Sequence, residues 1–263
     1  MKITDAYGEF VSRMSWEPGR RLQSFVARRT IASLTRDLNI NLSEMSMLEF
    51  GCGNGSVAKR TNELGVKSYT GVEPNQKLAA ETRRRVAGVQ ILETPLPFID
   101  KSLVAKFDVV FASMVLEHAS SPEEALQWLT AMASCLNSEG ILIVICPDIF
   151  NYGPYFWDID WTHGFPTTQE RLEQLAEGAG LSIIQSTKIR AGTSNLVVRG
   201  FCSTCSKLLP TKLVDSLSFR LLGRRIGRGL QSGLFWSSVR LSIAGSSRSS
   251  EADDDLVIPT IKC

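Results

Sequence analysis

Histidine is scarce in this chain: His118 and His163 are the two among 263 residues, so a reaction that needs an imidazole has two candidates. Long apolar runs are missing as well. The longest clean one is Ile141 to Cys146, far short of the roughly 20 residues that a membrane-spanning helix needs, so no bilayer crossing is expected. Residues 1–15 carry Asp5, Glu9 and Arg13 and no apolar stretch of the signal-peptide kind, from which a cytoplasmic, reducing location is expected. Charge of one sign is lacking too. With 29 Lys and Arg against 27 Asp and Glu, the net charge is +2, and by bulk charge no nucleic-acid partner is expected. Among six cysteines, Cys202 and Cys205 form a CxxC while Cys52, Cys135, Cys146 and Cys263 stand singly. A structural zinc site takes four ligands, so ordinary thiols are the plainer reading. No internal repeat is visible, and low complexity is confined to the polar stretch Gly245 to Asp255.

What is present is a regular alternation. Pro18 to Leu38 has apolar residues at helical spacing with arginines opposite, and Ser46 to Phe50 then reads as a short buried strand running into glycines. A helix (Ser56 to Leu64), a strand (Ser68 to Glu73), a helix (Gln76 to Val86) and a short strand near Val89 to Leu92 follow. The pattern repeats with a strand at Phe107 to Ala112, a helix at Pro122 to Leu136 and a strand at Ile141 to Cys146. Thr168 to Ala179 reads as a helix and Leu181 to Ile189 as a strand, so the sum is an α/β doubly wound parallel sheet.

Glu49-Phe50-Gly51-Cys52-Gly53-Asn54-Gly55 lies where the first strand turns into a helix, the end of an open α/β sheet that binds ligands. Glycine there lets the backbone turn sharply and approach a ligand that a Cβ would displace. Glu73, at the end of the next strand, can accept both hydroxyl hydrogens of a ribose. The pair suggests a nucleoside-containing cofactor, against the plainer reading of a tight turn and an exposed acid. A dinucleotide loop wants GxGxxG, and here its last position is Ser56, with the glycine one residue early.

At this point the sequence resembles the class I S-adenosylmethionine-dependent methyltransferases over roughly Met47 to Ile189. LEFGCGNG resembles the family's glycine motif, VEPN its ribose acid, Leu96 to Phe98 the segment before the fourth strand, KFDVVFASMVLEH that strand and its exit loop, and SCLNSEGILIVICPD the helix, glycine turn and fifth strand. The resemblance implies a Rossmann-like seven-stranded sheet with an antiparallel edge hairpin and S-adenosylmethionine as cofactor. It places Glu49, Gly51, Cys52, Gly53 and Gly55 at the cofactor's methionine end, Glu73 on the ribose, and Ala112 and Ser113 on the floor beside the sulfonium. Leu256 to Lys262 resembles the family's final, antiparallel strand. The expected organisation is therefore a helical lead-in over 1–45, the methyltransferase domain over 46–191 with a lid at 148–168, a basic helical insertion or cap over 192–255, and the last strand over 256–263.

Methyl transfer from a sulfonium needs positioning more than acid–base help, but a hydroxyl acceptor must lose its proton. His118, in VLEH, and His163 are the candidates, with Asp160 beside the latter; a histidine that merely orients its loop is the alternative for His118. VLEH is similar to the ExxEH pattern that holds a metal in ubiquinone-pathway O-methyltransferases, but its first acid is replaced by Met114, so no metal is expected, although Glu117 and His118 could hold part of such a site. NYGPYFWDIDWTHGFPTT follows the fifth strand on the ligand side. Tyr155, Phe156, Trp157 and Trp161 can stack on a flat or sugar-like face while Asp158, Asp160 and His163 bind hydroxyls; an aromatic plug in the core is the competing reading.

From Lys207 to Arg240 seven positive residues face one negative, Asp215. Leucines on one side and arginines on the other fit either a peripheral contact with an anionic membrane or a helical cap, and four glycines weaken the helix. The function expected overall is methyl transfer to oxygen, less readily nitrogen, of a small molecule or a glycan or lipid-linked sugar. A non-catalytic nucleoside-ligand-binding or scaffold protein and a nicotinamide oxidoreductase are the alternatives.

Overall fold

The alternation read from the sequence becomes one seven-stranded sheet in the computed structural model, which describes residues 17–189 and 238–244. In chain order the elements are α1 (Glu17–Asp37), β1 (Ser46–Phe50), α2 (Ser56–Glu63), β2 (Ser68–Val72), α3 (Gln76–Arg85), β3 (Gln90–Leu92) and β4 (Phe107–Ser113). There follow α4 (Pro122–Ala133), β5 (Leu136–Pro147), two short helices α5 (Ile149–Tyr152) and α6 (Tyr155–Ile159), α7 (Gln169–Gly178), β6 (Ile183–Ile189) and β7 (Ser238–Ala244). The strand order is β3-β2-β1-β4-β5-β7-β6. Strands β1 to β5 pair in parallel, and β7 runs antiparallel between β5 and β6. Order reverses between β1 and β4, and the loops leaving those two strands open on one side of the sheet, where a doubly wound fold has its crevice.

The sheet is covered on both faces, as parallel strands demand. Because successive side chains point to opposite faces, Leu48 and Phe50 of β1 join one core with Leu129 and Met132 of α4 and Leu172 of α7. Met47 joins the other core, with Ile31 and Leu34 of α1 and Ala79 of α3. Local signals fix the helix starts. Asn75 caps α3 by accepting from the Leu78 N–H, Ser121 caps α4 by accepting from the Glu124 N–H with Pro122 in the first turn, and Thr168 caps α7.

The last strand is where the structure corrects the sequence reading. The strand that pairs with β5 and β6 is Ser238–Ala244, not 256–263, which lies outside the described residues. Val239, Leu241 and Ile243 alternate along it and are buried, but so are Arg240 and Ser242. A buried arginine breaks the apolar signature, whereas Leu256 to Ile261 has that signature yet contains Pro259, which cannot donate to a ladder. Arg240 is neutralised inside the fold by Asp37 of α1 at 3.0 Å, and it also donates to the Gln185 amide oxygen at 2.9 Å. It therefore does not belong to a surface helix. The rest of the basic segment, up to residue 237, lies outside the described residues, and with it any test of a membrane contact. Among the described residues no helix is long and apolar enough to cross a membrane.

Candidate active site

The loop between β1 and α2 folds back onto β2. Gly51 and Cys52 both donate to the Val72 carbonyl, at 2.8 and 3.2 Å. Gly51, Gly53 and Gly55 all have left-handed backbone, with φ of 69°, 54° and 76°, a region that costs side-chain-bearing residues strain. Two of them also have no room. A Cβ on Gly51 would sit 2.6 Å from Val115 Cγ2, and one on Gly55 would sit 2.8 Å from Thr82 Cγ2. Gly53 differs, since a Cβ there would meet nothing nearer than the Gly51 carbonyl oxygen at 3.9 Å. Its bare backbone borders open space, a cradle that a side chain would fill.

Glu73 closes this cradle from β2. Its carboxylate is buried, with one oxygen accepting from the Gly53 N–H at 2.9 Å and the other from the Asn75 N–H at 2.9 Å. Burial raises its pKa, and the two backbone donors oppose that. Each carboxylate oxygen has a further lone pair to offer. A nucleoside fits this donor set: glycines that allow close approach beside a fixed acceptor at the end of the second strand.

Beneath the loop is a second acid that faces inward. Glu49 is buried and accepts a short hydrogen bond from the Tyr69 hydroxyl. Burial pushes its pKa up to about 8, and the nearby Glu73 charge adds to the rise. Cys52 is buried between these two acids, and burial raises its thiol pKa further above the ordinary range. The side chains of Glu49 and Cys52 are thus buried under the loop, Glu49 against Tyr69 and Cys52 in the core. Tyr69, the phenol that satisfies Glu49, carries no motif that would single it out in the sequence.

On the other side of the crevice, β4 ends at Ala112 and Ser113, and Met114 turns the chain with φ 57° while its N–H binds the Ile145 carbonyl at 2.8 Å. A side-chain-bearing residue held there is strained, as residues at functional sites often are. A single 3-10 turn, Leu116 to His118, follows. Segment 148–168 is fastened to this turn: the Glu117 carbonyl accepts from the N–H groups of Gly164 and Phe165 at 2.9 and 3.0 Å. A Cβ on Gly164 would lie 2.5 Å from the Ala119 carbonyl oxygen, so the approach depends on glycine.

This fastening brings the two histidines together. Their rings stand edge to face with centroids 4.9 Å apart. His118 Nδ1 lies 2.8 Å from Thr162 Oγ1, and the Thr162 hydroxyl donates to Asp160 Oδ1 at 2.6 Å. His163 Nδ1 lies 2.6 Å from the Phe156 carbonyl oxygen. Burial pulls His118 down to about 4, with the neighbouring His163 adding to the fall, and burial lowers His163 as well; both rings are neutral at pH 7. Asp160 lies beside His163 as expected, its carbonyl accepting from the His163 backbone N–H at 3.2 Å, and it also reaches His118 through Thr162. Glu117 is buried with its pKa pushed up to about 8 by desolvation. Thr162 did not stand among the expected site residues, and Glu117 stood there only as part of an incomplete metal pattern with His118.

The aromatic segment divides between the two readings of it. Phe156 is fully buried against the His163 ring at 4.7 Å, so it serves the core and not a ligand face. Trp157 and Trp161 are half exposed and Asp158 is exposed, and Phe150, exposed as well, adds to the same surface. The side chain of Tyr155 lies outside what is described. Asp148, fully buried, caps α5 and pairs with Lys188 of β6 at 2.9 Å, which anchors the segment's start.

Comparison with known proteins agrees with this geometry. The profile of the family described as "Methyltransferase domain" matches residues 21–186. The tRNA U34 carboxymethyltransferase of Pseudomonas fluorescens is 31% identical over 110 residues, 40% of this chain and 34% of that protein. The protein of the same name from Nautilia profundicola is 32% identical over 104 residues, 35% and 32% of the two chains. The chain thus matches about a third of the length of these curated relatives. Their names overturn the exclusion of a nucleic-acid partner that the small net charge suggests, because bulk charge averages over a surface and does not report on a local contact. Among solved structures, a SAM-dependent methyltransferase from Archaeoglobus fulgidus shares the fold with a TM-score of 0.54 at 17% identity, covering 82% of this chain and 94% of that one. Magnesium protoporphyrin IX methyltransferase from Synechocystis, with bound SAM, gives 0.52 at 16% identity, covering 85% and 80%. With the family profile over residues 21–186 and the sheet order and glycine loop in place, the chain belongs to the methyltransferase domain family and is a class I S-adenosylmethionine-dependent methyltransferase.

Proposed function

We propose that the enzyme methylates an oxygen of an acceptor that enters beneath segment 148–168, and that His118 and His163 activate that oxygen. S-adenosylmethionine, when bound, supplies the methyl group as an electrophile with a neutral thioether as leaving group. Gly51, Gly53 and Gly55 shape its seat, Glu73 holds the ribose, and Ala112 and Ser113 form the floor at the end of β4. The observation that supports the reading is the histidine pair itself, since the chain's two imidazoles come from distant segments and meet at the turn that leaves this floor. An imidazole there can take the acceptor's hydroxyl proton. Asp160, through Thr162, is a positioning residue for His118.

Trp157 and Trp161 offer exposed rings for stacking and Asp158 an exposed acceptor, which suits a small molecule or a glycan with one flat face and hydroxyls. A second reading, an RNA acceptor, takes its support from the names of the curated relatives, and bases stack on such rings equally well. The test is to incubate the enzyme and methyl-labelled cofactor with separate small-molecule, glycan, lipid and RNA fractions. His118→Ala and His163→Ala should lower turnover by roughly 10² to 10⁴ with cofactor affinity retained, and Trp157→Ala with Trp161→Ala should raise KM for the acceptor. Label in protein alone, or histidine variants as active as the parent, would refute the reading.

A further inference from the structure

The two faces of the sheet carry helices of opposite charge. Helices α1, α2 and α3 pack into one core through Ile31, Leu34, Ala58 and Ala79, whereas α4 and α7 pack into the other through Leu129, Met132 and Leu172. The sequences of α1 to α3 hold eleven Lys and Arg against four Asp and Glu, while α4 and α7 together hold Arg171 against five Glu. A net charge of +2 therefore conceals a basic face set against an acidic one. The acids on the basic face leave most of its charge in place. Glu63 is shared by Arg28 at 3.1 Å and Arg60 at 3.3 Å, and Asp37 by Arg36 at 3.2 Å and the buried Arg240 at 3.0 Å. Arg83 and Arg85 have partners in the fold, Arg83 in Glu93 and the Ile91 carbonyl, Arg85 in the Asn54 carbonyl of the glycine loop. Lys59 of α2 and Arg84 of α3 are exposed and, among the described residues, make no ion pair or hydrogen bond. A helix dipole favours cations in a last turn, which explains Arg83 to Arg85 but not Arg28, Arg29 or Lys59, which stand earlier in their helices. Like charges gathered on one face repel one another, and a polyanion laid across them relieves that cost.

We infer that the face formed by α1, α2 and α3 docks double-helical RNA through its phosphates. The helices lie side-on against the sheet, so none projects into a B-DNA major groove, whereas A-form RNA offers a wide, shallow minor groove and its flanking phosphates to a flat surface. Single strands are held by stacking bases on aromatic rings, and Phe25 is the one aromatic residue in the three helices. Arg29 lies over its ring, 5.5 Å from the centroid. An anionic membrane is bound by helices with an outward apolar face. Here the apolar residues point into the core, and Phe25 is the one large apolar side chain exposed on these helices among the described residues. The inference goes beyond the proposed function and uses none of the residues given to the cofactor or the acceptor, so the failure of either leaves the other standing.

The test measures binding of the full chain to a labelled RNA duplex of roughly 20 base pairs by fluorescence anisotropy, from about 50 to 200 mM salt. Affinity should fall steeply with salt. In the double variant Lys59→Glu with Arg84→Glu it should be roughly tenfold weaker or more, with a log–log salt slope shallower by about two. Both residues are exposed and lie outside the cofactor seat, so the variant keeps its affinity for S-adenosylhomocysteine. Glu177→Gln, on the acidic face, should bind the duplex as the parent does. Absence of duplex binding at the lowest salt, or binding unchanged in the double variant, overturns the inference. So does equal binding of a DNA duplex of the same length, or binding of phosphatidylserine vesicles in place of the RNA.

Discussion

Replacing Glu73 separates the cofactor seat from the scaffold that carries it. In the parent the carboxylate accepts from Gly53 and Asn75, both at 2.9 Å, and the group is 5% exposed. Hydrogen bonds to a charged partner contribute about 1.5–3 kcal/mol each. In Glu73→Ala the Gly53 N–H can turn to water in the cradle, while the Asn75 N–H, in a residue 4% exposed, is left in the interior. Stability should therefore fall by about 1–3 kcal/mol, the cost of one orphaned buried donor. Cofactor affinity should fall by a further ~1.5–3 kcal/mol, roughly 10- to 150-fold, because the ribose acceptor is lost and the glycine loop loosens. Glu73→Gln sharpens the test. Its amide keeps one acceptor oxygen but sets an NH₂ against the other backbone N–H, so it should bind no better than about a tenth as tightly as the parent. Urea unfolding gives the stability change, and calorimetric titration with S-adenosylhomocysteine gives the affinity. A folded Glu73→Gln variant that binds within twofold of the parent would refute the assignment of this carboxylate to the ribose.

Three further predictions rest on other parts of the fold. Gly55→Ala meets Thr82 as well as a left-handed φ and should lose stability by about 1–3 kcal/mol, whereas Gly53→Ala meets only the φ cost and should show a larger loss in cofactor affinity than in stability; equal losses of both quantities in the two variants would contradict this. Glu49 has a folded pKa near 8 against an ordinary 4.5, so its contribution to stability is fully present below about pH 4.5 and is lost as pH rises through 8, on the order of 4 kcal/mol in all. Unfolding free energy measured from pH 4.5 to 8.5 should fall less steeply in Glu49→Gln than in the parent, and parallel curves would exclude the buried acid as the source. Asp37→Ala leaves Arg240 buried without its carboxylate and should cost about 3–5 kcal/mol, whereas Arg240→Met removes the buried charge itself and should cost less; the reverse order in thermal melts would contradict that account.

Most of the sheet was legible because its signals are local. Apolar runs of strand length, helical spacing, Asn75, Ser121 and Thr168 at helix starts, and glycines where β1 ends act within a few residues, and they mark β1 to β4, β6 and the longer helices closely; β5 begins at Leu136, which the apolar spacing assigns to the preceding helix, and α5 and α6 fall in the segment read as a lid. The glycine loop and the acid beside it were legible for the same reason, since the glycines and Glu73 stand at the ends of two successive strands. What the sequence could not settle depends on distant partners. Arg240 makes sense in a buried strand only once Asp37 of α1 and Gln185 of β6 are beside it, and without them β7 does not look like a strand. Trp157 and Phe156 are adjacent aromatics of equal promise in the sequence, and the direction of one short helix sends the second into the core and leaves the first half exposed. The meeting of Glu117 and His118 with His163 is likewise tertiary, because no spacing rule connects residues so far apart. Two backbone N–H groups donating to one carbonyl, and a glycine bare enough to let the chains touch, bring them together.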